Sequence, residues 1–162
     1  MVTLNNSFGR RCLPMKIMLI AGEASGDYYG ANLIKTIKEL DPRIEFFGWG
    51  SQLMAKEGLR VIFDPTEVST VGFVEVIKKL NFFKKWLERL EKVLVEEKPD
   101  CLVLIDFPGF NMRMAKIAHR LGIPCVYFIP PTAWAWGRGR AKKIAQSVDK
   151  VISILPMEMP VY

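Results

Sequence analysis

The sequence predicts an α/β domain built on a doubly wound parallel sheet. Five short β-rich runs recur along the chain, most of them followed by a helical pattern. The runs are continuously apolar rather than alternating, as expected of strands buried on both faces. Glycine, acidic and aromatic residues gather just after the runs, where a parallel sheet presents its carboxyl edge to ligands.

The first run, KIMLIA at 16–21, leads into a helical pattern over 26–40 with Leu33, Ile34, Ile37 and Leu40 at helical spacing. Asp41-Pro42 ends that pattern. IEFF at 44–47 is the second run, and a weaker one at 61–63 reads as an edge strand. The longest helical stretch covers 71–97, with a break expected at Asn81. LVLI at 102–105 precedes a helix over 110–121, which closes on Gly122 as a C-cap with Pro124 beyond it. VYFI at 126–129, a helix over 139–148 and VISIL at 151–155 complete the series. Strand alternating with helix implies right-handed crossovers.

At 162 residues the chain suits one domain with a core of its own. Half the residues are hydrophobic and a quarter charged, which excludes global disorder. The net charge of +6 suits a polyanionic partner: nucleic acid, an anionic membrane surface or a phosphorylated substrate. A merely solvated basic surface accounts for it as well. Cys12, Cys101 and Cys125 form no CxxC pair and no Cys/His cluster, so neither a zinc site nor a disulfide framework is expected. This cysteine usage points to the cytoplasm. The first 14 residues carry no apolar signal core and are expected to be a flexible extension, with the domain over 15–162. No apolar run approaches the roughly 20 residues of a spanning helix.

Four stretches carry candidate chemistry. AGEASGD follows the first strand: Gly22 and Gly26 permit a tight turn, and Ser25 or Asp27 is placed to cap the helix. Free N–H groups at a helix start also suit an anion or a sugar hydroxyl. The spacing is not GxGxxG, and Glu23 and Asp27 would repel a pyrophosphate, which argues against a nicotinamide cofactor. Asp106 ends an apolar strand. An acid there is a candidate general base, with Asn111 placed to orient a substrate, or else an N-cap for the helix beginning near Phe110.

PPTAWAWGRGRAKK sets Trp134 and Trp136 beside Arg138, Arg140, Lys142 and Lys143, a sugar-stacking wall next to cations that suit phosphate. Interleaved aromatics and cations also occur in single-strand nucleic-acid sites, but the acids at the strand ends argue against that partner. The stretch 71–95 holds Phe73, Val74, Ile77, Phe82, Phe83 and Trp86 among many lysines. It reads as an interfacial, lipid-contacting helix or as a helix pair packed on the sheet. His119 reads as a surface residue.

Taken together, AGEASGD, FFGWGSQLMAKEG, VGFVEVIKKL, IDFPGFN, the stretch from IPPTAWAW through GRGR, and ILPMEMPVY resemble the lipid-A-disaccharide synthases. The motifs occur in that family's order across nearly all of 15–162. The resemblance implies a Rossmann-like domain, the N-terminal half of a GT-B fold, and a peripheral enzyme at the inner face of the cytoplasmic membrane. It implies inverting transfer of 2,3-diacylglucosamine from a UDP-2,3-diacylglucosamine donor to the 6-hydroxyl of 2,3-diacylglucosamine 1-phosphate, without cofactor or essential metal. Asp106 matches the family's candidate general base. Glu23, Ser25, Gly26, Asp27, Asn111 and Trp134 would shape the acceptor cleft, and Phe73, Val74, Ile77, Phe82, Phe83 and Trp86 would meet acyl chains or membrane.

Two positions depart from the family pattern. Gly109 stands where a second acid is usual, and Gly50-Ser51 where a glycine pair is usual. The chain also ends where a linker to a second, UDP-binding domain is expected, so this chain alone is expected to lack turnover. The rival expectation is a non-catalytic lipid- or membrane-binding module.

Overall fold

The computed structural model describes residues 14–65, 76–131 and 138–156. Within them, six parallel strands form one sheet: β1 (Lys16–Ala21), β2 (Glu45–Trp49), β3 (Leu59–Phe63), β4 (Cys101–Ile105), β5 (Cys125–Phe128) and β6 (Lys150–Ile152). Their spatial order is β3-β2-β1-β4-β5-β6. The connecting helices are α1 (Ala24–Leu40), α2 (Gln52–Lys56), α3 (Val76–Glu97), α4 (Pro108–Leu121) and α5 (Arg138–Ala145).

Alternation along the strands divides the core between the two faces of the sheet. Ile17, Leu19, Ala21, Val103 and Ile105 share one apolar layer with Ala31 and Ile34 of α1 and Met54 of α2. Met18, Ile20, Leu102 and Leu104 share the other with Leu90 and Leu94 of α3, Phe110, Met114, Ala115 and Ala118 of α4, and Ile144 of α5. Apolar residues at every strand position are thus explained by helices on both faces.

The expected elements are present with shifts at their ends, and three details differ. The helix α3 runs through Asn81 without a break. Phe83, Trp86, Leu90 and Leu94 give it a packed stripe, and that packing outweighs the modest helix penalty of one asparagine. The short α2 was not anticipated, because its five residues carry too little periodicity to read. The helix after β1 begins at Ala24, with Glu23 as N-cap residue and no side-chain cap, so neither Ser25 nor Asp27 caps it.

Candidate functional site

The strand order reverses between β1 and β4, which places a crevice outside their carboxyl ends. After β1 the chain enters Gly22 and Glu23, and after β4 it enters Asp106 and Phe107. Asp106 (φ 48°) and Phe107 (φ 47°) are both left-handed. Asp tolerates this region better than most residues, whereas a bulky Phe does not. Such residues cost about 1–3 kcal/mol each and collect where a site demands a particular backbone. Ile129, just past β5 on the same edge, is left-handed too, at φ 57°.

This turn settles the structural alternative for Asp106. The residue at the N-cap of α4 is Phe107, and no side chain caps the helix. The half-buried Asp106 carboxylate makes no hydrogen bond or ion pair among the described residues. An acid without a partner among the described residues thus stands at the switch point of the doubly wound sheet, where ligands of such folds bind.

Around Asp106, the first loop divides by exposure. Glu23 and Ser25 are exposed at the mouth, while Gly26 and Asp27 are buried. A Cβ at Gly26 would sit 3.2 Å from the Ala21 Cβ, so its missing side chain lets α1 lie close on β1. Asp27 is a correction to the expected cleft set. Its carboxylate accepts the N–H groups of Ser51 at 2.6 Å, Leu53 at 3.0 Å and Met54 at 3.4 Å. It therefore caps α2 from another helix and is committed to structure.

Asn111 is a second correction. At 0% exposure it cannot reach a substrate. Its Nδ2 instead donates to the carbonyls of Asp106 at 2.8 Å, Ile105 at 3.1 Å and, more weakly, Ile20 at 3.5 Å. Trp134, Phe73 and Val74 lie outside the described residues, as does the Ile77 side chain, although Ile77 is within α3.

The remaining acyl-contact candidates form part of an aromatic layer beside the crevice. Trp86 lies 4.2 Å from Phe63 and 5.7 Å from Trp49 between ring centroids. Phe83 contacts Phe107 and Phe110 at 5.8 Å, and Phe82 contacts Phe63 at 5.8 Å. Phe82, Phe83 and Trp86 are half-buried, whereas Trp49 is only 2% exposed. The layer is thus packed around the buried Trp49, while Phe82, Phe83 and Trp86 each keep part of their surface accessible.

Two contributors were missed in the sequence. Phe107 closes the crevice, its ring lying against Gly22 so tightly that a Cβ there would come within 2.3 Å. Tyr127 donates its hydroxyl to the Asp106 carbonyl at 2.9 Å. A phenol inside an apolar strand must find a partner when buried, and that was the available signal.

A family profile described as lipid-A-disaccharide synthetase matches residues 17–162. The chain belongs to that family. Among lipid-A-disaccharide synthases, it is 44% identical to that of Trichlorobacter lovleyi over 149 residues and 43% identical to that of Geobacter metallireducens over 147. Those alignments cover 92% and 91% of this chain but only 39% and 38% of the relatives. The chain thus spans about two fifths of the curated lipid-A-disaccharide synthases it matches. Its fold is similar to a UDP-N-acetylglucosamine 2-epimerase described as putative from Listeria monocytogenes, with TM-score 0.61 and 9% identity over 91% of this chain and 41% of that one. A second UDP-N-acetylglucosamine 2-epimerase structure gives TM-score 0.59 at 14% identity, over 86% and 42%. Both likenesses support a Rossmann-like α/β fold for this chain.

Proposed function

We propose that this chain provides the acceptor-side domain of a lipid-A-disaccharide synthase. In the complete enzyme, 2,3-diacylglucosamine passes from UDP-2,3-diacylglucosamine to the 6-hydroxyl of 2,3-diacylglucosamine 1-phosphate, giving a β-1,6 linkage with inversion. Asp106 takes the hydroxyl proton as the acceptor oxygen bonds to the anomeric carbon and the bond from that carbon to UDP breaks. Donor recognition falls to a second domain, and the work is done at the inner face of the cytoplasmic membrane.

The carboxylate of Asp106 at the β1/β4 switch point, without a hydrogen bond or ion pair among the described residues, is the observation that carries this reading. A general base must be free to accept a proton and placed where a substrate hydroxyl arrives. Glu23 and Ser25 at the mouth supply polar contacts to the sugar, and the half-buried Phe82, Phe83 and Trp86 supply an apolar wall for acyl chains. Family membership over residues 17–162 supports the substrate class. No helix among the described residues is long and apolar enough to cross a membrane, which is compatible with surface attachment.

The test joins this chain to the remaining length of the Trichlorobacter lovleyi relative and assays disaccharide formation from both lipid substrates. Asp106→Asn is expected to lower turnover by about 10²- to 10⁴-fold with the fold retained. Unchanged turnover overturns the base assignment. Disaccharide formation by the 162-residue chain alone overturns the division of labour.

A further inference from the structure

The carboxylate of Asp106 makes no hydrogen bond or ion pair among the described residues, but its backbone is held at three points. Its N–H donates to the Phe128 carbonyl at 3.2 Å. Its carbonyl accepts the Tyr127 hydroxyl at 2.9 Å and the Asn111 Nδ2 at 2.8 Å. Tyr127 comes from β5 and Asn111 from α4, so two separate elements converge on one oxygen. Both side chains are at 0% exposure, and neither can touch a ligand in the crevice.

The convergence falls on an otherwise unfavourable backbone. Leu102 and Leu104 belong to the apolar layer beneath α3 and α4. In an extended continuation of β4, alternation would put residue 106 on that same face. The left-handed turn at Asp106 and Phe107 takes it out of the series. Hydrogen bonds to a single carbonyl are a direct way to hold a peptide plane that its own φ/ψ preferences oppose. Asn111 suits the task because it donates, whereas a carboxylate at 111 would face the carbonyls of Asp106, Ile105 and Ile20.

We infer that Tyr127 and Asn111 are positioning residues: they lock the Asp106–Phe107 peptide in its left-handed form and so set the direction of the Asp106 carboxylate. The inference rests on the reading of Asp106 as general base. It reassigns Asn111 from substrate to backbone and gives Tyr127 a part that the aromatic content of β5 alone does not suggest.

The same joined enzyme tests it through Tyr127→Phe, which keeps the ring in the core and removes only the hydroxyl. Misaiming a base lowers the chemical step rather than binding, so kcat is expected to fall about tenfold while KM for either substrate stays within about twofold. Asn111→Ala should show the same split. In the 162-residue chain, Tyr127→Phe should also speed amide exchange at Asp106 and Asn111 without lowering the thermal midpoint appreciably. A Tyr127→Phe enzyme with wild-type kcat, beside an Asp106→Asn enzyme that has lost turnover, overturns the positioning role and leaves the base assignment standing. Wild-type turnover of Asp106→Asn overturns the base reading and this inference with it. Unchanged exchange at both amides overturns the clamp whatever the activities show.

Discussion

A Cβ added at Gly22 would lie 2.3 Å from Cδ1 of Phe107, a separation that the ring can relieve only by moving. Phe107 is itself left-handed and stacks on Phe110 at 5.8 Å, so it has little room to do so. Gly22→Ala is therefore expected to destabilise the chain by about 1–3 kcal/mol, read by urea unfolding. Asp27→Ala should cost about 2 kcal/mol, because it strips three N–H groups at the start of α2 of their acceptor. Amide exchange over 51–56 would localise that loss. At this scale Asp106 was legible from its place after an apolar run. The tasks of Asp27 and Asn111 were not: the partners of Asp27 lie 24 to 27 residues away, and Asn111 reaches carbonyls 5 and 6 residues back only because of a left-handed turn that no sequence pattern announces.

Among the elements, α3 shows how packing overrides local punctuation. Asn81 reads as a break, yet the helix continues because one of its faces is fastened by rings. Trp86 packs on Phe63 and Trp49, with the Arg89 guanidinium 4.7 Å from its ring centroid on the outer side. Trp86→Ala is expected to cost about 2–4 kcal/mol in chemical denaturation, at the lower end of losses for large core aromatics because the ring is half-buried. At its other end α3 is tied by Glu97, which meets Lys16 of β1 at 3.1 Å and Arg60 of β3 at 2.7 Å. Hydrogen bonds from Arg60 and then Lys16 hold the Glu97 carboxyl below its ordinary value of 4.5. The group releases its proton more readily when folded, so its contribution is present above pH 4.5 and fades as pH falls. Glu97→Gln should accordingly shrink the loss of stability on acidification.

Across the whole molecule, the doubly wound sheet was the most legible feature because strands buried on both faces leave continuous apolar runs. Strand order was out of reach of periodicity, which says nothing about which run lies beside which. Two thiols report on the integrity of the assembled sheet. Burial pushes Cys101 up to about 11 and Cys125 up to about 12, from an ordinary 9.0. Folding favours their protonated forms, so the stability tied to them is full below pH 9.0 and is lost as pH climbs through 11 and 12. Alkylation by iodoacetamide at pH 8 is expected to be slow at both until the chain is unfolded in urea. Rapid labelling of the native protein would show that the β4–β5 region opens on its own.

The order of strands also sets a clock for assembly. The central strand β1 pairs with β4 through contacts such as Ile17 with Cys101, separated by about half the chain. During synthesis the middle of the sheet stays open until β4 has emerged, and β1 can recruit only β2 in the meantime. Closing so long a loop carries an entropic cost before the contact rewards it, which slows folding. A nascent chain halted before β4 would display an apolar strand with one unpaired edge, a ready template for association with its neighbours.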